Sequence, residues 1–561
     1  MGLVNIPSML QRIPARVGEF EEAGYPFDAV MVVRAADDEF PDSAMVDLAE
    51  IWNASYEPKI RLATVSDFFE HLLTNYGDVF PTYRGDASGM WESVAMVTPA
   101  TTARVRRARA LLPDVEELWR TLADSGAGDY PSALFGEAWK LAMIFDEHSN
   151  GGMGWPGLLT KEEIESENRE FVTVALRCQQ IAEELRGRAL ALAGPRVAES
   201  DGPELVLFNP RGEAFDGVVE LTSDTPLPAD LRLIDPAGGP DAELRWLDDE
   251  RRTLAVRTTV PLEGWTRWRL EGSGAPPPPP VWIETDRIGA GPYELVLDPI
   301  LGTAVSLNDR ERGIDWLDQP GPHRFGGIEQ GNNTEVFFDI WREKNPGPVT
   351  LRAEDGAIQI FRRIQVVDPF GRVLREYRLF ADEPRVDLIV TLRRSALPFV
   401  EFEEHSHHYA VSFPMNLALP TTLWVDGPDG WFRPGPDSLP GSAVGHLAAS
   451  TGARLEGSNG RWVSITSIDS PMLDLGEMSE GPWQVIETDE YGMAWKLRRH
   501  ADLGQVKGGA LVPIEAEPGM PDATDYRFVV RFGEANDPPP SRETLRRDLS
   551  PPLATWVEPS R

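Results

Sequence analysis

Between Ile144 and Gly152 the chain reads Ile-Phe-Asp-Glu-His-Ser-Asn-Gly-Gly. His148 follows an apolar helical stretch, stands beside Asp146 and Glu147, and precedes two glycines, so its imidazole lies at the end of an element, where a metal ligand can be presented. The same placement lets a histidine complement the negative end of a helix. Both readings stay open on the residues alone. A second place for chemistry is Asp37-Asp38, directly after the apolar run Phe27 to Ala35. If that run is a parallel strand, the two acids stand at its carboxyl end, where α/β sheets hold ligands. The alternative is a solvated acidic turn.

The elements that position these residues follow from hydrophobic period. Phe27 to Ala35 and Lys59 to Ala63 have strand length, a helix from Pro41-Asp42-Ser43 runs through Trp52, and Thr64-Val65-Ser66-Asp67 caps another. The inward face of that helix is expected to be Phe68, Phe69, Leu72 and Leu73. This is a βαβα order with parallel strands. From Pro99 the period turns helical. One helix starts near Ala100 and is expected to break at Pro113, another spans about Pro131 to Phe145, and a third starts at Thr160 with a Glu163 capping box and is expected to end at Gly194-Pro195. Three such helices predict a bundle. After Asp201 short apolar runs alternate with Gly, Pro and Asp turns, as in large antiparallel sandwiches, and Pro276 to Pro280 forms a stiff divider.

The fold class expected is therefore multidomain α+β: the end of a (β/α) barrel over 1–90, a three-helix bundle over 91–195, a small β-domain over 201–275, a large β-sandwich over 281–540 and a tail over 541–561. The formal charge of −36 disfavours nucleic acid and anionic membranes as partners. Cys178 is the one cysteine, which excludes an internal disulfide and cysteine-rich zinc modules; a reducing cytoplasm is the expected location. No apolar run reaches membrane-span length, and residues 1–22 lack signal-peptide order.

In this order, several stretches resemble glycoside hydrolase family 38, the α-mannosidases. They are Asp37-Asp38-Glu39-Phe40, Trp52-Asn53 with Pro58, Thr64 to Phe69, Thr82-Tyr83-Arg84-Gly85-Asp86 before Met90-Trp91, Phe145 to His148, Leu207-Phe208-Asn209-Pro210, and Tyr293 to Leu317 with its Gly-x-x-x-Ser-Leu-x-Asp core. The resemblance implies a carbohydrate substrate, a divalent metal, usually zinc, with His148 as a ligand, and retaining hydrolysis with Asp86 as the acid/base carboxylate. Read from its turn chemistry alone, Asp86 is a Gly-Asp turn. Asp37 and Asp38 would face substrate. The family's early-strand His-x-Asp pair is expected to be missing from this chain, and its nucleophile-bearing strand likewise. The expectation is an enzyme truncated or acting through a composite site, completed by an upstream partner chain or a homo-oligomer. The alternative is a non-catalytic carbohydrate-binding protein on the same scaffold.

Two other features are set against that frame. Glu403, His405 and His407 share one face of a strand and suit a metal, but a charged strand edge that prevents aggregation is the simpler reading. Trp155, Trp282, Trp316, Trp424 and Trp431 could stack on sugars, but are expected to fill sandwich cores.

Overall fold

A computed structural model gives the fold. It describes residues 6–32, 43–80, 95–147, 160–199, 202–272, 281–317, 323–331, 336–338, 348–355, 360–395, 408–439, 446–475, 493–499, 504–507, 510–513 and 515–558, apart from residues 229, 249, 251, 370, 394 and 516. The chain forms two compact units, Met1–Tyr83 and Arg84–Arg561.

The first unit holds helices α1 (Ile6–Glu22), α2 (Ala44–Ser55) and α3 (Val65–Tyr76). The capping box at the start of α3 is present: Thr64 accepts from the Asp67 amide while Asp67 accepts from the Thr64 amide. Residues 27–32 and 59–63, expected as strands, join no ladder among the described residues, because extended backbone becomes a strand only where a neighbour takes up its amides and carbonyls. The inward face of α3 narrows in consequence. Leu72 is buried, whereas Phe69 and Leu73 are 46% and 61% exposed.

The second unit opens with α4 (Pro99–Asp124), α5 (Ser132–Phe145) and α6 (Lys161–Val197). Their apolar faces share one core that includes Val105, Leu112, Trp119, Phe135, Ala138, Cys178 and Leu185. Contacts of Arg104 with Gln179 and of Trp119 with Leu185 run α4 and α6 in the same direction. The return helix α5 meets α4 at Tyr130–Glu116 at one end and Arg109–Asp146 at the other. Contrary to expectation, α4 does not break at Pro113. A mid-helix proline costs about 3 kcal/mol, but Leu112, Val115, Leu118 and Leu122 bury side chains on both sides of it and hold the helix together. Likewise α6 runs past Gly194-Pro195 to Val197, since Gly194 lies against Thr555 and Val557 and the Ala198 amide closes on its carbonyl.

The β half is antiparallel throughout. One sheet orders the strands Leu553–Val557, Glu204–Asn209, Gly264–Glu271 and Arg232–Ile234, and Phe215–Thr222, Thr253–Val260 and Leu244–Trp246 form a second. Phe208 and Leu553 extend the helical core into this small domain. The large domain is built on a ten-stranded sheet running from Gly430–Phe432, through Thr421–Gly427, Gly452–Gly457, Trp462–Thr466, Ala523–Gly533, Arg385–Arg393 and Val373–Phe380, to Phe361–Val367, Thr350–Asp355 and Val281–Glu284. Its inner face supplies Tyr377, Leu388, Val390, Tyr526, Phe528 and Ile465 to the main core.

The outer face is different. Alternation puts Arg363, Glu376, Arg378, Arg385, Asp387, Arg527 and Arg531 there, under the small domain and the helix α7 (Arg542–Leu549). Glu220 of the small domain joins Arg378 at 2.9 Å and Arg527 at 2.7 Å, Arg245 joins Glu354, and Asp548 of α7 joins Arg531 at 2.7 Å. These charges are paired, and each carboxylate accepts from guanidinium donors, which is the condition for burying them. Burial alone would raise Glu220, Asp387 and Asp548, yet the facing arginines hold all three below the usual carboxylate range.

Among the described residues no helix is long and apolar enough to cross a membrane.

Candidate active site

Asp37, Asp38, Asp86 and His148 lie outside the described residues, as do Glu403, His405, His407 and Trp155. The described residues that the same stretches of sequence include are held as follows. Trp52 donates its indole N–H to the Pro58 carbonyl at 2.6 Å, and Asn53 pairs with both backbone groups of Ile60 at 2.8 Å. The Trp52-Asn53 and Pro58 text thus fastens the segment after α2 to that helix. In the same unit Asp28 accepts from His71 at 2.8 Å, and this hydrogen bond holds the carboxyl below its usual range.

The helix end that precedes His148 is more informative. Phe145 is buried in the helical core, so the last turn of α5 is anchored. Asp146, its C-cap, accepts from Arg109 of α4 at 2.6 Å. One turn back on α4, Arg106 donates to the Ile468, Ala449 and Ser450 carbonyls of the sandwich; burial pulls this guanidinium down to about 10. Across from them on α6 sits Glu167. Burial pushes its pKa up, and the like charges of Glu147 and Glu170 add to the rise. A carboxyl group raised by burial and by like charges is the type that stays protonated nearer neutrality and can donate a proton. Sequence reading picked out Asp146 and Glu147 but missed Arg106, Arg109 and Glu167, which stand in helical text with no local mark.

The same end of the bundle is fixed to the sandwich. Glu517, fully buried, accepts from the Thr101 amide at 2.7 Å and its hydroxyl at 2.9 Å, capping the start of α4. Asn168 of α6 donates to the Glu515 carbonyl. Bundle and sandwich therefore flank the Asp146 corner as one body.

The tryptophans divide. Trp316 is buried in the main core as expected, but Trp282, Trp424 and Trp431 lie on the outer face of the ten-stranded sheet with arginines over their rings. Strand alternation decides this for Trp424 and Trp431, because each is one position out of phase with its core neighbour, Val425 or Phe432, and Trp282 lies opposite Glu354 of the charged outer face.

With this architecture in hand, two solved structures compare across most of the chain. A protein in the Glycosyl Hydrolase Family 38 from Enterococcus faecalis matches 100% of this chain and 70% of its own, at 12% identity and TM-score 0.62. An alpha-mannosidase from Enterococcus faecalis V583 matches 92% of this chain at 12% identity and TM-score 0.60. The fold is that of glycosyl hydrolase family 38. The chain spans 64% of the length of that alpha-mannosidase. No family profile and no curated protein matches the sequence.

The family 38 resemblance implies zinc, and the donors can be tested for fit. Among the described residues no three of His, Cys, Asp and Glu converge on a point where a metal could sit. A His-x-Asp does occur, at His500-Ala501-Asp502, but it falls in the β half and outside the described residues. The described donors do not compose a zinc site, so no chemical step is drawn through one.

Proposed function

We propose that this chain acts in retaining hydrolysis of α-mannosides or related glycosides, as the portion of a composite site that carries the end of a barrel, the helical bundle and the sandwiches. The observation that carries the reading is the family 38 fold over the whole chain, together with the braced Asp146 corner from which the His148 segment departs. In this reading Asp86 serves as the acid/base carboxylate. It donates a proton to the leaving glycosidic oxygen and then withdraws one from water, opposite a nucleophilic carboxylate about 5 Å away supplied from outside these residues. Asp37 and Asp38 bind substrate hydroxyls. His148 serves as this chain's contribution to a zinc site. Arg109 and Asp146 fix the helix end, and orientation of this kind is where much of a catalytic barrier is met.

The test uses an aryl α-mannoside with the chain alone, the chain joined to the segment encoded immediately upstream, and the joined protein carrying Asp86→Asn or His148→Ala. Turnover in the joined protein that is lost in both variants supports the reading. Robust turnover by the chain alone overturns the composite site, and an inert joined protein favours the carbohydrate-binding alternative.

A further inference from the structure

At one edge of the ten-stranded sheet, on its outer face, four side chains interleave. Register places Trp424 directly opposite Arg454 on the next strand. The Arg454 guanidinium lies 5.7 Å from the Trp424 ring centre and 5.0 Å from that of Trp431, while Arg433 lies 5.6 Å from Trp424 on its other flank. Each arginine is matched by a carboxylate: Arg433 by Asp437 at 2.7 Å and Arg454 by Glu456 at 2.8 Å. Both indoles are half-buried, and Arg433 keeps 44% of its side chain in solvent. The Trp424 indole N–H is buried without an acceptor among the described residues.

We infer that this edge is a binding site for a neutral hexose chain. The argument is chemical. Trp424 is held between two guanidiniums, whereas Trp431 is stacked by Arg454 alone and can turn its other face to the C–H face of a sugar ring, and arginine and carboxylate groups beside it supply both donors and acceptors for hydroxyls. Two cations and two anions leave the patch without net charge, and the chain as a whole carries −36, so an anionic ligand gains nothing here. A cationic ligand would meet the guanidiniums first. A neutral polyol with an apolar face is what remains. The short edge strand Gly430–Phe432 places Trp431 at the rim of the sheet, where an extended chain can approach without displacing another strand. The inference does not rest on the hydrolytic reading, because binding here needs none of Asp86, His148 or a metal.

The opposite edge of the same sheet supplies an internal control. Trp282 is also stacked, by Arg352 at 4.9 Å and Arg363 at 5.2 Å. An arginine–tryptophan ladder that serves only to stiffen the sheet would make the two edges alike in every assay. The experiment is titration of the full chain with soluble mannan, with dextran and with polygalacturonate, read by tryptophan fluorescence and calorimetry, on the wild type and on Trp431→Ala, Arg433→Ala and Trp282→Ala. The expected result is saturable binding of mannan or dextran, weakened tenfold or more by Trp431→Ala and by Arg433→Ala and unchanged by Trp282→Ala, with no binding of polygalacturonate. Thermal midpoints confirm that each variant is folded, and Arg433→Ala carries the test if Trp431→Ala is not. No binding of either neutral polymer, binding of the anionic one instead, or equal loss in all three variants overturns the inference. Hydrolysis assays fail or succeed independently of these outcomes.

Discussion

Replacing Asp387 by asparagine tests the view that the outer face of the large sheet is held by compensated charge. Asp387 is fully buried and accepts from Arg385 at 2.6 and 2.9 Å and from Arg527 at 2.8 Å. Removing one partner of a buried ion pair costs about 3–5 kcal/mol, because the remaining charge stays desolvated. Here each arginine retains another carboxylate, Arg527 with Glu220 at 2.7 Å and Arg385 with Asp548 at 3.6 Å, so the lower end applies. A loss of about 3 kcal/mol corresponds to a midpoint lowered by about 6–12 °C for a domain of this size class. Calorimetry is the assay, since a chain of several domains unfolds in more than one transition. The effect should shrink when Arg527→Met is already present, as coupled neighbours require. The sign with pH follows from the same pairs. Glu220, Asp387, Asp548 and Glu376 all have folded pKa values below their ordinary ones, so the stability they contribute is complete above about pH 5 and is lost as pH falls further. The variant should therefore lose less on acidification than the wild type. A midpoint moved by less than about 1 °C, or strict additivity with Arg527→Met, would refute the reasoning.

Three further outcomes are expected. Thr160→Ala removes the acceptor for the Glu163 amide at the start of α6 and should cost about 1 kcal/mol in urea unfolding followed by helical circular dichroism. Glu517→Ala leaves the Thr101 amide without its buried acceptor, while the hydroxyl keeps the Thr98 carbonyl, costing about 1–3 kcal/mol, and hydrogen exchange should rise at the first turn of α4 before anywhere else in that helix. Gly302→Ala puts a methyl 2.1 Å from a Val366 side-chain carbon at a φ of +70°, so it should lower the sandwich midpoint, with overpacking alone worth about 1–3 kcal/mol.

Where local rules suffice, the sequence was readable. The capping boxes at Thr64 and Thr160, the limits of α5 and strands such as Glu204–Asn209 and Arg385–Arg393 all follow from residues within a few positions of one another. Motif text was readable too, but as architecture. In the Gly-x-x-x-Ser-Leu-x-Asp stretch, Gly302 makes the turn, Ser306 donates to Asp315 at 2.7 Å, and Asp309 accepts from the amides of Glu311 and Arg312. Asn209 of Leu-Phe-Asn-Pro ties its own turn to Glu213 and Pro261. Errors arose where distant packing overrides a local preference, as at Pro113 and Pro195, or where a strand needs a partner, as at 27–32. The charged outer face was illegible for a related reason. Glu220 meets Arg378 and Arg527 only when two domains close on each other, and no spacing along the chain announces it.

The strand Leu553–Val557 pairs with Glu204–Phe208, some 350 positions earlier. A polypeptide emerges from the ribosome in order, at about 5–20 residues per second. For tens of seconds at those rates, the flank of Glu204–Asn209 that this strand will cover waits with its amides and carbonyls unmatched. The waiting interval belongs to translation, not to the finished molecule. Chaperone demand during synthesis should therefore track the delay before residue 553 appears, and slow codons late in the message should lower the soluble yield of a protein whose equilibrium stability is unchanged.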